Sequence, residues 1–456
     1  MINFDNSYAR LPDHMFSAQA PTPVRDPKLI IVNESLAADL GIDPAEITAE
    51  VAAGNTIPDG AQPIAQLYAG HQFGNWNPQL GDGRAVLLGE VITPQNKRID
   101  IQLKGSGRTP YSRNGDGRAW LGPVLREYIV SEAMHAMGVP TTRALAAAET
   151  GEIVQRETGL PGGVIMRTAS SHIRVGTFQV YAARGDTDAL AALLDHVIAR
   201  HYPDAAGPAE LLSAVVAAQA NLVAQWMGLG FIHGVMNTDN VSIAGETIDY
   251  GPCAFMDSYN PAQVFSSIDR QGRYAYSNQP SLAGWNMAQL ATALVPLMPD
   301  QDAAIDDFTK RINAFSDLFV VAHRNVFAAK LGISNPTQDD DALIHDLLSL
   351  MAQDGADFTN TFATFDQDQF VDTGAFNAWK ARWDARRDSD PHNPMIIPRN
   401  HQIEAIIQAA VAGDFAPFHA MLTAVTQPFA PLDAQRAAYA KPPTDQEIVR
   451  ATFCGT

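Results

Sequence analysis

Asp239, Asn240 and Asp249 have the most chemistry to offer, and they share one stretch, Gly230 to Gly251. Between them the sequence predicts a short hairpin. Val241 and Ile243 alternate with polar residues, Gly245-Glu246 suits a tight turn, and Thr247-Ile248 starts the return. A hairpin of that size brings Asn240 and Asp249 to the same end of two strands. An amide oxygen and a carboxylate so placed are hard ligands of the kind Mg²⁺ uses when it keeps waters and binds phosphates. The same residues also suit plain turn formation.

Such a stretch resembles the catalytic and metal loops of the protein-kinase fold, where a His-led loop ends in a metal-binding Asn and an Asp-Phe-Gly follows. His233 precedes Asn240 by the kinase spacing, and Asp249-Tyr250-Gly251 stands where Asp-Phe-Gly would. One position departs: the kinase catalytic Asp, two residues after the His, is Val235 here. Within the loop, the carboxylate left to act as a base is Asp239.

Other elements must position these groups. Arg98 to Lys104 alternates as a strand, with Ile99, Ile101 and Leu103 on one face and Asp100, Gln102 and Lys104 on the other. A helix follows, with Pro123 in its first turn and Gly138-Val139-Pro140 as its stop. Leu125, Ile129 and Ala133 form one stripe of it; Glu127 shares another face with Val130 and Met134. A carboxylate on a partly apolar face needs a cation, and Lys104 is the candidate. That pairing is how kinases position phosphates. Gly81-Asp82-Gly83-Arg84 precedes an apolar strand, Ala85 to Ile92, and Gly115-Asp116-Gly117-Arg118 offers a second glycine loop. With Arg167 at the end of another strand, Gly163 to Arg167, and Arg174 at the expected crossing, these basic residues read as an anion pocket.

The chain has 456 residues, 31 basic against 50 acidic, and a net charge of −19. That balance argues against non-specific nucleic-acid binding and against an anionic membrane surface. No apolar run is expected to reach a membrane span, and the first residues carry neither a basic region nor an apolar signal core. A cytoplasmic protein is expected. Residues 1–60 read as a segment wrapping the first lobe, with one helix over Glu34 to Leu40; 61–169 as a small β-rich lobe; 170–456 as a helical lobe. Helices are predicted over Pro208 to Met227, Trp285 to Leu297 and Phe308 to Leu331, an irregular segment over 252–284, and a Pro/Ala-rich tail over Gln427 to Pro443. The fold class is therefore α+β, a kinase-like two-lobed architecture with extra C-terminal helices.

Several longer motifs, Tyr68-Ala-Gly-His-Gln-Phe-Gly74, Gln79-Leu-Gly-Asp-Gly-Arg84, Gln102-Leu-Lys-Gly-Ser-Gly-Arg-Thr-Pro-Tyr-Ser-Arg113, Ser171-His-Ile-Arg-Val-Gly-Thr-Phe178 and His233-Gly-Val-Met-Asn-Thr-Asp-Asn240, resemble the selenoprotein O family, called YdiU in bacteria. Ile248-Asp-Tyr-Gly-Pro252, the segment Asn393 to His401 and the terminal Thr-Phe-Cys-Gly-Thr fit it too. The resemblance implies a protein adenylyltransferase that moves AMP from ATP to Ser, Thr or Tyr hydroxyls, the enzyme's own included, with ATP flipped relative to a kinase. It implies that Gly81, Gly83, Arg84, Lys104, Asp116, Gly117, Arg167, Arg174 and Asp249 bind nucleotide. Glu127 would orient Lys104, Asn240 and Asp249 would hold Mg²⁺ or Mn²⁺, and Asp239 would accept the proton. UMP transfer, γ-phosphoryl transfer and a nucleotide-binding scaffold are the competing readings. Val235 disfavours the kinase, and the full set of Lys104, Glu127, Asn240 and Asp249 disfavours the scaffold. Eukaryotic relatives carry a selenocysteine near their end; this chain has Cys454. A reversible Cys253–Cys454 disulfide across the site entrance is a further expectation, set against the reduced state usual in the cytoplasm.

Overall fold

The computed structural model describes residues 2–452. Its strands are β1 (Phe16–Ala18), β2 (Lys28–Val32), β3 (Ile64–Gln66), β4 (Gly70–Gln72), β5 (Asn75–Asn77), β6 (Ala85–Ile92), β7 (Arg98–Lys104), β8 (Ala119–Trp120), β9 (Arg143–Gln155), β10 (Gly159–Ala169), β11 (Phe231–Ile232) and β12 (Ala254–Phe255). The sheet that matters runs β1-β3-β6-β7-β10-β9-β2, with β8 added onto β10. Residues 2–60 thus do more than wrap: β1 and β2 form the two ends of that sheet.

The helices are α1 (Glu34–Leu40), α2 (Ala49–Ala53), α3 (Leu121–Ala136), α4 (Val175–Arg184), α5 (Thr187–His201), α6 (Pro208–Gly228), α7 (Gln279–Leu294), α8 (Gln301–Lys330), α9 (Asp340–Asp354), α10 (Phe358–Thr364), α11 (Thr373–Arg386), α12 (Asn400–Val411), α13 (Ala416–Val425) and α14 (Ala437–Ala440). The result is a mixed α/β protein. Helix α1 has its predicted bounds because the Asn33 side chain caps Leu36 N–H and Gly41 ends the helix at φ 73°. Helices α7 and α8 begin earlier than their apolar periodicity suggests. Pro280 sits in the first turn of α7, and the Asp300 carboxylate caps the first turn of α8 at Ala303. Helix α6 meets the length and hydropathy of a membrane span, which the sequence reading did not foresee, and 67% of that window is buried inside the protein.

Strand alternation works on both faces of β7. Ile101 and Leu103 pack with α1, α2 and the N-terminal arm. The opposite face, Asp100, Gln102 and Lys104, is also turned inward, Asp100 and Gln102 being fully buried. Gln102 lies directly across from Arg167 on β10, so Lys104, Gln102 and Arg167 share one face. Helix α3 covers that face. Its back is braced by the C-terminal helices, where Tyr128 meets Phe418 edge-on and Arg126 donates to Asn400 (2.9 Å) and to Glu404.

A buried polar seam leads from β7 to the start of α4. Asp100 Oδ2 accepts from the His172 N–H and ring Nδ1, both at 2.9 Å, and its Oδ1 accepts from Arg200 (2.6 Å). Glu246 accepts from the Ser170 N–H (3.0 Å) and hydroxyl (2.6 Å). Burial pushes Glu246 up to about 7, helped by Asp100, against Ser170 and Arg200, which favour its charge. A carboxyl that prefers to be neutral when folded contributes stability below its unfolded value, lost as pH rises through about 7. Glu246→Gln, neutral at every pH, should therefore melt higher than wild type by roughly 2–4 °C at pH 8, with the difference closing at pH 5. Scanning calorimetry at the two pH values checks this; a variant less stable at pH 8 than at pH 5, relative to wild type, contradicts it.

Candidate active site

The expected hairpin between Asn240 and Asp249 does not form. Its two arms pair with other segments: Ser242 bridges Arg174 and Thr247 bridges Thr141. Apolar alternation at Val241 and Ile243 therefore marks burial under the crossing segment and α6, while Gly245 makes the turn at φ 73°. The return end of this loop is fixed by buried groups. Trp226 donates to Thr247 Oγ1 (2.8 Å), and His233, stacked on Trp226, pairs through Nε2 with the Ile248 carbonyl (2.8 Å). Burial lowers the His233 pKa; the ring is a neutral spacer.

Asp249 then emerges with φ 60°, in the left-handed region that a non-glycine residue occupies only under constraint. Its carboxylate is held from three sides by cations. Its Oδ1 accepts from Lys104 (2.9 Å) and Arg167 (2.7 Å), and its Oδ2 faces Arg174 at 3.3 Å. Glu127 on α3 completes the cluster, taking Lys104 at 2.7 Å and Arg167 at 2.9 Å. The predicted strand-to-helix ion pair is present. Arg167 is fixed further by Gln102 (2.8 Å). Burial would raise both acids, but Arg167 and Lys104 outweigh it and hold Asp249 well below, and Glu127 below, the usual carboxylate range. Three cations face two carboxylates, and two guanidinium nitrogens, Arg174 Nε and Arg84 Nη1, are buried without a partner. A buried surplus of donors and positive charge is costly unless an anion answers it.

Asp239 sits across the same cleft, on a single 3₁₀ turn, Thr238–Asn240. It is 8% exposed, and its Oδ1 has no hydrogen-bond partner. Burial pushes its pKa up to about 6, opposed chiefly by Arg174. Such a carboxylate is ionised at neutral pH yet basic enough to take a proton. Val235 lines the same cleft. Asn240 spends its amide nitrogen on the Val235 carbonyl (3.1 Å), so the amide oxygen is the atom it can offer a metal. Among the described residues no group of three or more His, Cys, Asp or Glu could hold a metal ion.

The cleft has a volume of about 1080 Å³, ample for a small-molecule ligand. All the sequence-predicted site residues line it: Gly81, Gly83, Arg84, Lys104, Asp116, Gly117, Glu127, Arg167, Arg174, Asp239, Asn240 and Asp249. Their local roles differ. The Gly83 N–H is already used, donating to the Gly81 carbonyl at 2.7 Å. Gly81, at φ 124°, is required because a Cβ there would lie 2.6 Å from the Tyr111 ring. Gly117, at φ 70°, lies against the Gly107 carbonyl, where a Cβ would come within 2.2 Å. Asp116 ties its loop together, accepting from Arg118 N–H (2.9 Å) and Arg156 (2.8 Å). Arg118 itself holds the N-terminal arm through the Thr22 and Pro23 carbonyls, at 3.0 and 3.1 Å.

Several wall residues escaped the sequence reading: Tyr68, Asp82, Arg113 and Arg156. Tyr68 lies 4.4 Å beneath the Arg174 guanidinium. Asp82, its pKa pushed to about 6 by burial, accepts from Gln66 N–H (3.1 Å) and Gln102 (3.2 Å). The run Ser112-Arg-Asn-Gly-Asp-Gly117 carried a turn signal that could have flagged Arg113; for Arg156 no local signal exists. Cys253 is fully buried. Cys454, and with it the expected disulfide, lies outside the described residues.

Comparison with known proteins bears on this geometry. The sequence profile of the family described as protein adenylyltransferase SelO matches residues 1–379. A protein of Ruegeria pomeroyi named protein nucleotidyltransferase YdiU is 59% identical, over 100% of this chain and 99% of its own length. Relatives with the same name from Roseobacter denitrificans and Bradyrhizobium diazoefficiens are 60% and 54% identical, each over 99% of both chains. The chain is thus a protein nucleotidyltransferase and belongs to the SelO family.

Proposed function

We propose that the chain transfers AMP from ATP to Ser, Thr or Tyr hydroxyls of proteins, itself among them, with Asp239 as the base. What carries the reading is a single cleft that combines a buried excess of cationic donors around Asp249 with a buried carboxylate oxygen, on Asp239, that has no partner. A polyphosphate answers the first and an acceptor hydroxyl answers the second. In this reading Arg84, Lys104, Arg167 and Arg174 hold the phosphates. Gly81, Gly83, Asp116 and Gly117 shape the loops around them. Residues 61–169 act as the small β-rich lobe and 170–456 as the helical lobe of a kinase-like pair. The negative net charge fits a cytoplasmic enzyme that works on proteins away from nucleic acids and membranes.

The oxygen donors also suit Mg²⁺ or Mn²⁺. Asn240 and Asp249 supply two hard ligand atoms, and phosphate and water would supply the others. When bound there, such an ion would supply neutralisation of the phosphate charge that builds up in the transition state. The chain's own part is positional. Glu127 holds Lys104 to the phosphates, the arginines stabilise the departing pyrophosphate, and the Asp239 carboxylate takes the proton of the acceptor hydroxyl. The acceptor oxygen bonds to the α-phosphorus, and the bond from that phosphorus to the bridging oxygen of the β-phosphate breaks. A base displaced from the kinase position fits attack at the α rather than the γ phosphorus, consistent with valine at 235.

ATP labelled at the α-phosphate should leave its label on protein, the enzyme included, and only with a divalent cation present; ATP labelled at the γ-phosphate should not. Label from the γ position would mean a kinase.

Asp249→Ala should lower transfer by on the order of a thousandfold or more, since it removes a metal ligand and the focus of the cation cluster. Lys104→Ala should weaken ATP binding and turnover together. Near-normal rates in the first variant, or unchanged ATP affinity and rate in the second, read by label transfer and titration calorimetry, would overturn these assignments.

A further inference from the structure

We propose that the β4–β5 hairpin, residues 70–77, is the device that positions Asp239, with Gln72 as its positioning side chain. The proposal rests on the reading of Asp239 as the base and assigns how that base is held.

Asp239 is carried by one short turn, which by itself fixes a carboxylate poorly. The hairpin reads that turn residue by residue. The His71 N–H donates to Thr238 Oγ1 at 2.7 Å, and the Phe73 N–H donates to Asn237 Oδ1 at 2.9 Å. Asn237 Oδ1 also accepts from the Tyr274 hydroxyl (2.6 Å), which locks that side chain. Between these two backbone clamps the Gln72 side-chain amide donates to Asp239 Oδ2 at 3.4 Å. That bond is long, so it steers the carboxylate while the clamps hold the turn. With Oδ2 engaged, Oδ1 lies buried beside Gly70 without a partner.

Two further observations point the same way. Gly70 opens the hairpin against the carboxylate, and a Cβ there would lie 2.6 Å from Asp239 Oδ1 and 3.0 Å from its Cβ. Only glycine leaves the base its position. The hairpin turns on Phe73 and Gly74 at φ 51° and 81°, the pattern of a tight two-residue turn. A bulky residue at positive φ is strained, and such strain persists where surrounding contacts over-determine it. Here Phe73 is held edge-on to Tyr274 with ring centres 5.1 Å apart. The hairpin is anchored in turn by His71, whose Nδ1 pairs with Gln179 on α4 (3.1 Å) and whose ring meets Trp76 and Trp285 at 4.9 and 5.4 Å. Helices α4 and α7 therefore fix the base through a strand pair that lies 167 residues away in sequence from the aspartate it orients.

The test uses the full-length protein, α-labelled ATP, and casein together with self-labelling as acceptors. Gln72→Met keeps length and apolar bulk but removes the donor; Gly70→Ala pushes directly on the carboxylate. At saturating ATP the transfer rate should fall about tenfold in Gln72→Met and about a hundredfold in Gly70→Ala, the scale expected when a catalytic group is displaced by a fraction of an ångström to one ångström. KM for ATP, and ATP affinity by calorimetry, should stay within about twofold of wild type, because neither residue belongs to the phosphate cluster. A general folding defect would lower both, and melting curves identify it; Gln72→Met, the milder change, then decides. Wild-type rates in Gln72→Met, or loss of rate and ATP affinity in parallel, overturn the proposal. Asp239→Asn separates the two levels. If it is inactive while Gln72→Met is fully active, only the positioning role fails. If Asp239→Asn itself retains the wild-type rate, the base assignment fails, and the hairpin's role falls with it.

Discussion

Asp249 is held by more positive charge than it can neutralise, and the rest of the structure is arranged to tolerate that. Lys104, Arg167 and Arg174 converge on one carboxylate, and Glu127 is a second acid that two of them also contact. Burying ions is expensive, and the expense exceeds the attraction between them unless every donor finds an acceptor. Here not all do, since Arg174 Nε and Arg84 Nη1 are buried and unpaired. A site selected for stability alone would replace such a cluster with apolar residues. One selected for a phosphate chain must keep it, because the donors have to be in place before the anion arrives. The left-handed backbone at Asp249 belongs to the same arrangement.

What holds the cluster rigid is spread over the whole chain. The register of β7 against β10 puts Lys104, Gln102 and Arg167 on one face. Helix α3 delivers Glu127 to that face, and its other side is packed by α12 and α13, more than 270 residues later, through the bonds from Arg126 to Asn400 and Glu404. The buried seam of Asp100, His172, Arg200 and Glu246 fixes the segment that ends at Arg174. The C-terminal helices are therefore part of the machinery that fixes the ion pair. In this chain the glutamate helix has little freedom to swing away from the lysine strand.

Much of the site was legible in the sequence because it obeys local periodicity. Lys104 at the end of a perfectly alternating strand, and Glu127 off the main apolar stripe of a well-punctuated helix, identified each other without any structure. Asp239, Asn240 and Asp249 stood out by residue type and spacing, and the longer motifs led to the family. The misreadings share one cause, that burial mimics pairing. Val241 and Ile243 alternate as in a hairpin, yet the partners of that loop are Arg174 and Thr141, which sequence distance hides. Residues 2–60 read as a wrap because β1 and β2 are short, although both enter the main sheet. Gln72 and Arg156 were missed because their partners, Asp239 and Asp116, lie 167 and 40 residues away in sequence. The glycines do line the cleft, but at Gly81 and Gly117 close packing against Tyr111 and Gly107 explains glycine as fully as any approach of phosphate.

The claim that the cation cluster is a preformed polyphosphate site is tested most directly by inorganic tripolyphosphate, which has the charges of the nucleotide and none of its base or sugar. Titration calorimetry of the full-length protein should show tripolyphosphate binding at one site and competing with ATP, with affinity that weakens as salt is raised. If tripolyphosphate neither binds nor shifts the ATP isotherm, while adenosine alone competes, the excess charge around Asp249 serves some purpose other than holding phosphates, and the account given for Lys104, Arg167 and Arg174 is contradicted.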